Sequence, residues 1–118
     1  MCGIIGYVGH RKCTDILLDG LKQLEYRGYD SAGIALLNGK DLLVCKSVGR
    51  VGALIEKVRE RCIGNFSVGI GHTRWATHGA ASEVNAHPQV SINGKYAVVH
   101  NGIIENYSQL FTELVAKG

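Results

Sequence analysis

The sequence predicts an α+β fold with mainly antiparallel strands. Short apolar segments with the length of β-strands alternate with three longer segments in which apolar residues recur at helical spacing. Asn38-Gly39 lies between two apolar runs, a pattern typical of a β-hairpin closed by a type I′ turn. These observations give the order strand, helix, hairpin, helix, strand, loop, strand, helix, within one domain of 118 residues.

The first half of the chain contains the first strand, the first helix and the hairpin. Residues 4–8 are apolar and bounded by glycines, as in a short buried strand. Residues 14–25 follow as a helix, with Thr14 as its N-cap. The residues expected to form the buried stripe of this helix are Ile16, Leu17, Leu21 and Leu24. The hairpin strands are predicted over residues 32–37 and 42–47.

The second half begins with a helix over residues 51–61 and a strand over 66–72. A turn at Asn93-Gly94 precedes a strand over 96–100, and the last helix is predicted over 105–117. The residues of the last helix that we expect to be buried are Tyr107, Leu110, Phe111, Leu114 and Val115. With 46% hydrophobic residues, the chain can bury a modest core.

Composition excludes several classes of partner. The net charge of +3 comes from scattered Lys and Arg residues, which gives no support for nucleic-acid binding. No apolar stretch is long enough to cross a membrane and the start lacks the features of a signal peptide, so we expect a cytoplasmic protein. The four cysteines form no CxxC pair, and the five histidines match no familiar metal-ligand spacing. We therefore expect free thiols, no metal and no other cofactor.

The start of the chain carries a candidate nucleophile. Once Met1 is removed, Cys2 holds a thiol and a free α-amine on one residue, and α-amines titrate close to neutral pH. The amine can take the thiol proton directly or through one water, so nucleophile and general base come as a single unit. Gly3 lets another group approach the backbone closely. The competing interpretation is that Cys2 is a small buried apolar residue near a start site.

Asn101-Gly102 follows a predicted strand and offers an oxyanion hole. The side-chain amide of Asn101 and the backbone N–H of Gly102 can point at one position, and losing one such donor typically costs about 10²–10³ in rate. Asn-Gly is also a common turn sequence, so the pair alone indicates no more than a change of chain direction.

Residues 73–89 form a predicted loop that is long enough to be functional. Arg74 could bind a carboxylate through two parallel hydrogen bonds, or it could be a solvated surface arginine. Trp75 could close over a substrate as a lid, or it could be an outlying part of the core. The charged segment Arg27-Gly28-Tyr29-Asp30 could support the nucleophile or form a purely structural ion pair.

Two other functional interpretations stay open on these residues. Cys2 could pair with His78 or His72 as in a papain-like thiol hydrolase, because a fold can bring distant residues together. The chain could also be a non-catalytic binding or scaffold segment in which the site exists only in outline. A chain that keeps Met1 and still hydrolyses substrate would favour the Cys–His pair.

Five longer motifs occur in order along the chain. They are Met1-Cys2-Gly3-Ile4, Arg27-Gly28-Tyr29-Asp30-Ser31-Ala32-Gly33, Gly71-His72-Thr73-Arg74-Trp75-Ala76-Thr77-His78-Gly79, Val84-Asn85-Ala86-His87-Pro88 and His100-Asn101-Gly102-Ile103-Ile104-Glu105-Asn106. In this combination they resemble the glutaminase domain of class II glutamine amidotransferases, most closely the glutamine–fructose-6-phosphate aminotransferase branch. Amidophosphoribosyltransferases are the weaker match, because they typically have a tyrosine where Trp75 stands and differ around Tyr29.

The resemblance implies an N-terminal-nucleophile (Ntn) hydrolase fold, in which two antiparallel sheets pack between helix layers. It also implies a reaction on L-glutamine. Cys2 attacks the side-chain amide, ammonia leaves, and water hydrolyses the γ-glutamyl thioester. By the same resemblance Asn101 and Gly102 form the oxyanion hole, and Arg74 holds the α-carboxylate of glutamine.

Other residues receive less specific roles from the resemblance. Trp75, Thr77 and His78 belong to the loop that closes over glutamine, and Arg27 lies near the nucleophile. His87 lies in a family motif, but the resemblance gives it no definite role.

The resemblance finally implies that residues 1–118 are the N-terminal half of the family's glutaminase domain, incomplete at the C-terminus. The remainder of that domain includes an aspartate that binds the α-amino group of glutamine. A separate sugar isomerase domain uses the ammonia to make glucosamine 6-phosphate from fructose 6-phosphate, in an enzyme that is a homodimer. We therefore expect residues 1–118 alone to bind glutamine weakly or not at all, with weak or no activity.

Overall fold

The computed structural model describes residues 1–118 and is built on a four-stranded sheet. The strands are β1 (Gly3–Val8), β2 (Ser31–Asn38), β3 (Asp41–Val48) and β4 (Val68–Arg74). Their order across the sheet is β1-β4-β2-β3, and every neighbouring pair is antiparallel. The predicted α+β class with antiparallel pairing is confirmed. Because β4 lies between β1 and β2, the starts of both strands meet at the carboxyl end of β4.

Two helices pack against this sheet. Helix α1 (Cys13–Leu24) contacts β1 and β4, α2 (Val51–Arg61) contacts β3, and the helices touch each other. The core between them consists of Cys13, Leu17, Leu18, Leu21, Ala32, Ile34, Leu36, Cys45, Val51, Leu54, Val58, Cys62 and Phe66. Helix α2 has the predicted bounds. The buried stripe of α1 includes Leu18, which the prediction omitted, whereas Ile16 and Leu24 are only half-buried.

The predicted N-cap of the first helix is wrong. The helix begins at Cys13, so Thr14 lies inside its first turn, and the preceding Lys12 makes no side-chain capping bond. The Cys13 N–H instead donates to the carbonyl oxygen of Phe66 at 2.7 Å. A contact from a distant segment therefore satisfies the helix start. Sequence periodicity cannot reveal such a contact, since it reports only local patterns.

The hairpin is confirmed, but its predicted turn type is wrong. Asn38 pairs with Asp41, so the loop consists of Gly39 and Lys40. Gly39 has a φ of 59°, and no residue other than glycine has a positive φ. A type I′ turn needs two successive residues with positive φ, which Lys40 does not provide. The glycine therefore sits at the first loop position and sets the turn.

The fourth strand is displaced from its predicted position at 66–72 towards the C-terminus. Thr73 pairs with Gly3 of β1, and Arg74 pairs with Ser31 of β2. Pairing with a neighbour on each side extends the strand beyond its apolar run, so polar residues become part of the sheet. The long loop therefore begins after Arg74.

The C-terminal part of the chain packs little against the rest. A two-stranded sheet joins β5 (Gln89–Val90) to β6 (Ala97–Val98), so β6 is shorter than predicted. Helix α3 (Tyr107–Lys117) forms, but its five apolar residues predicted to be buried are exposed, including Leu110 at 39% and Phe111 at 66%. Their burial was wrongly predicted because neither the four-stranded sheet nor α1 or α2 covers this face. None of the three helices has the length and apolar character needed to cross a bilayer.

Candidate active site

An open cavity of about 1190 Å³ lies at the carboxyl end of β4. The eight residues predicted for the site all line it: Cys2, Arg27, Arg74, Trp75, Thr77, His78, Asn101 and Gly102. They come from segments that are distant in the sequence, and the strand order brings three of these segments together at the end of β4. His72 and His87 also line the cavity, although sequence reasoning gave neither a definite role in a glutaminase site.

Cys2 lies immediately before β1, with its thiol against the backbone of Trp75. The Trp75 N–H donates to Cys2 Sγ at 3.3 Å, and Sγ lies 3.7 Å from the carbonyl oxygen of the same residue. The Gly3 N–H donates to Thr73 Oγ1 at 3.1 Å, and a Cβ on Gly3 would lie only 2.9 Å from that oxygen. Glycine thus permits the close approach that fixes the chain start beside β4.

Arg27 contacts the chain start through its main chain. It ends a short 3-10 turn over residues 25–27 after α1, and its carbonyl oxygen accepts a hydrogen bond from the ammonium group of Met1. This contact holds the first residue at the cavity beside Cys2. Removal of Met1 would make the backbone nitrogen of Cys2 the free α-amine of the chain.

No hydrogen bond joins Cys2 to a histidine. His72 Nε2 lies 2.7 Å from Asn101 Oδ1, and His78 Nδ1 lies 3.1 Å from Thr77 Oγ1. Neither histidine considered for a papain-like pair is therefore hydrogen-bonded to the Cys2 thiol.

Arg74 is buried at the end of β4, so its interpretation as a solvated surface residue is wrong. Its Nη1 donates to the carbonyl oxygen of Ala80 at 2.9 Å, and Nη2 donates to the carbonyl oxygen of His78. Nη1 also lies 3.9 Å from Asp30 Oδ1. The loop is therefore wrapped around the guanidinium, and the two carbonyl oxygens occupy only part of its five N–H donors.

Asp30 holds the start of the same loop. Its carboxylate accepts hydrogen bonds from the Ala76 N–H and from the Ser31 hydroxyl, the latter at 2.8 Å. Its backbone N–H donates to the Arg74 carbonyl oxygen at 3.0 Å, and its own carbonyl oxygen accepts from the Gly49 N–H at 2.8 Å. The residue ties β2, β4 and the loop together, and it binds both neighbours of Trp75, whose backbone contacts the Cys2 thiol.

Trp75 packs over the turn that precedes β2. Its ring meets Tyr29 edge-on with centroids 6.4 Å apart, and the guanidinium of Arg50 lies 4.6 Å from the centre of the Tyr29 ring. A Cβ on Gly28 would lie 2.5 Å from the Cβ of Trp75, so only glycine fits there. The indole is still 51% exposed and lines the cavity, so it is not part of the core.

His72 and His87 lie against each other at the cavity. Sequence reasoning gave neither of them a role in the glutaminase site. The rings of His72 and His87 have centroids 4.7 Å apart. Burial lowers the pKa of His72 to about 4, and burial followed by the charge of Arg74 lowers the pKa of His87. Both rings are therefore neutral at physiological pH. A histidine inside a strand of apolar and glycine residues is the sequence signal that could have identified His72.

Comparison with known proteins gives consistent relatives, although no family model matches the chain. Glutamine–fructose-6-phosphate aminotransferase (isomerizing) from Thermus thermophilus is 55% identical over 118 residues, which is 100% of this chain and 19% of the relative. The protein of the same name from Thermococcus kodakarensis is 56% identical over 119 residues, again 100% of this chain and 19% of the relative. The chain thus spans about a fifth of the length of the relatives that it matches.

Solved structures agree with the sequence relatives. Glutamine phosphoribosylpyrophosphate amidotransferase from B. subtilis, complexed with ADP and GMP, superposes with a TM-score of 0.81 at 28% identity, covering 100% of this chain and 25% of that one. A structure described as the allosteric regulatory enzyme of purine biosynthesis gives a TM-score of 0.84 at 30% identity, covering 100% and 26%. Over its whole length the chain is therefore similar to about a fifth of glutamine–fructose-6-phosphate aminotransferase, and it has the Ntn-hydrolase fold of the glutamine amidotransferases.

Proposed function

We propose that this chain carries the glutamine-hydrolysing site of an amidotransferase, with Cys2 as nucleophile after removal of Met1. The observation that carries the proposal is a single cavity that contains the Cys2 thiol, the Asn101-Gly102 corner and the Arg74 guanidinium. The names of the relatives support glutamine as the substrate. Residues 1–118 would then form the N-terminal half of a class II glutaminase domain.

In the proposed reaction the α-amine of Cys2 takes the thiol proton, and Sγ attacks the side-chain carbonyl carbon of glutamine. The tetrahedral oxyanion accepts hydrogen bonds from Asn101 Nδ2 and from the Gly102 N–H. The ammonium formed on Cys2 returns its proton to the leaving nitrogen, so ammonia departs and a γ-glutamyl thioester remains. Water then hydrolyses the thioester, which releases glutamate and restores the thiol.

Glutamine would be oriented by the loop that follows β4. Arg74 would hold the α-carboxylate through the N–H groups that do not bind the loop carbonyls. Trp75, Thr77 and His78 line the cavity on the same side, so they would cover bound glutamine. Because Arg74 also anchors this loop, binding of the carboxylate and ordering of the loop are coupled.

In the larger protein, the ammonia would serve synthesis of glucosamine 6-phosphate from fructose 6-phosphate by a sugar isomerase part outside these residues, in a homodimeric cytoplasmic enzyme. The identity of 55% to the aminotransferase, against 28% to the phosphoribosylpyrophosphate enzyme, favours this branch over the purine branch. The exposed apolar face of α3 favours weak or no activity of residues 1–118 alone.

Two measurements on the chain without Met1 test the proposal. The first is release of glutamate and ammonia from glutamine. The second is covalent labelling by a glutamine analogue with a diazoketone in place of the amide, which reports the site even when turnover is slow. We expect the label on Cys2, its loss in Cys2→Ala, and its retention in the control Cys62→Ala, which changes a buried cysteine of the core. Absence of both label and turnover would instead support a non-catalytic segment.

A further inference from the structure

A hydrogen bond beneath the cavity has no part in the reaction proposed above. His72 is 1% exposed on β4, and its Nε2 lies 2.7 Å from Asn101 Oδ1. A side-chain amide oxygen can only accept a hydrogen bond, so Nε2 carries the proton in this arrangement. Asn101 Nδ2 then donates to no protein atom and stays free for a ligand in the cavity.

The opposite orientation of the amide fits the surroundings less well. There Asn101 Nδ2 would donate to an unprotonated Nε2, and the ring proton of His72 would sit on Nδ1. Nδ1 is buried and has no hydrogen-bond partner. Buried N–H groups without an acceptor are rarer in proteins than acceptors without a donor. The ring surroundings therefore favour the Nε2–H tautomer, and with it the amide oxygen turned inward.

The charge state of the ring supports the same orientation. Burial lowers the pKa of His72 to about 4, the bond to Asn101 and the backbone of His100 act to raise it, and His87 and Arg74 lower it. A pKa of about 4 leaves the ring neutral near pH 7. A neutral imidazole has one donor, and with the proton on Nε2 that donor meets Asn101 Oδ1.

The other side of the ring is also fixed. Gly33 lies opposite His72 in the pairing of β2 with β4, and a Cβ there would lie 2.2 Å from the carbonyl oxygen of His87. The same Cβ would lie 3.1 Å from Cδ of Pro88. Glycine thus lets this segment lie directly on the sheet, and the His87 ring stacks on His72. The imidazole plane is held between the sheet and this segment.

We propose that His72 is a positioning residue, which holds the amide of Asn101 with its oxygen inward so that Nδ2 points to the oxyanion position. This inference rests on the proposed glutaminase function, and it assigns a task to a residue that touches neither the thiol nor the amide of the substrate.

Kinetics of two His72 variants, measured in the larger protein that contains residues 1–118, test the inference. His72→Phe keeps a ring but removes the donor, and His72→Gln keeps an N–H near the position of Nε2. We expect His72→Phe to lower kcat by up to about 10²–10³, the loss typical for one oxyanion donor, with little change in KM because the contact forms in the transition state. His72→Gln should restore most of the rate. Equal loss in both variants, or a loss in KM alone, would overturn the inference.

A double-mutant cycle separates positioning from general damage to the fold. In an Asn101→Ala background, His72→Phe should lower kcat only slightly further, because both changes remove the effect of the same donor. Fully additive losses would mean that His72 acts by another route and would overturn the inference.

A nuclear magnetic resonance measurement makes the test independent of turnover. With ¹⁵N-labelled histidine, the inference predicts a neutral Nε2–H tautomer for His72 at pH 7, and a shifted Nε2 resonance in Asn101→Ala. An Nδ1–H tautomer or a charged ring would overturn the inference even if the enzyme is active. Conversely, absence of Cys2 labelling in the unchanged protein would contradict the glutaminase function, while the tautomer would still report on His72.

Discussion

Replacing Asp30 by alanine removes the carboxylate that holds the cavity loop on the sheet. That carboxylate accepts hydrogen bonds from the Ala76 N–H and from the Ser31 hydroxyl, and it lies 3.9 Å from Arg74. Hydrogen bonds to a charged group contribute about 1.5–3 kcal/mol each. Ser31 is fully buried, whereas Ala76 is partly exposed, so its N–H can recover part of this energy from water. Arg74 keeps its two carbonyl acceptors, so its guanidinium is not left buried without hydrogen-bond partners. We expect Asp30→Ala to lower the free energy of unfolding by about 2–3 kcal/mol.

Urea unfolding and amide hydrogen exchange measure the two consequences separately. The midpoint of unfolding should fall, and exchange of the Ala76 amide should accelerate more than exchange in α2. Asp41→Ala is the matched control, because Asp41 is exposed at the hairpin and surface changes usually stay within about 0.5 kcal/mol. An Asp30→Ala protein with the stability of the control and a protected Ala76 amide would refute the assignment of Asp30 as the loop anchor.

Two further changes test other parts of the structure. The Glu25 carboxylate accepts a hydrogen bond from the Val51 N–H at 2.8 Å, at the start of α2. Burial alone would raise the Glu25 pKa, but the bonds from Val51 and Lys22 outweigh burial, so the pKa is lowered overall. Glu25 therefore stabilises the fold above its unfolded pKa and ceases to do so as pH falls through its lower folded pKa. Glu25→Gln should lower the free energy of unfolding by about 1 kcal/mol at pH 7 and weaken its dependence on pH in the acid range. An unchanged dependence on pH in that range would contradict this. Gly28→Ala should displace Trp75, whose Cβ would lie 2.5 Å from the new methyl group, and shift the fluorescence of this single tryptophan; unchanged emission would contradict it.

Local patterns were sufficient for elements whose partners lie nearby in the sequence. The hairpin around Gly39 and the bounds of α2 follow from turn chemistry and helical spacing alone. The site residues could be named because they stand in motifs, and the end of β4 brings Cys2 and Arg74 to one cavity. Whether each of them has the predicted role stays a prediction.

Features that depend on distant partners could not be predicted. The extension of β4 to Arg74 requires a strand on each side, and the start of α2 is capped by Glu25 from a different segment. The pattern of α3 correctly indicated a helix with an apolar face, but periodicity does not tell what covers that face, and Phe111 is exposed. The contact between His72 and Asn101 joins residues that are 29 apart, and no spacing rule links them.

The central claim is that one residue supplies both the nucleophile and its base. Labelling by the glutamine diazoketone should therefore be compared between the chain that begins at Cys2 and a chain in which Met1 is kept by an uncleaved N-terminal extension. Intact mass establishes the first residue of each. The account predicts labelling of Cys2 only when its α-amine is free, and equal labelling of the two chains would contradict it.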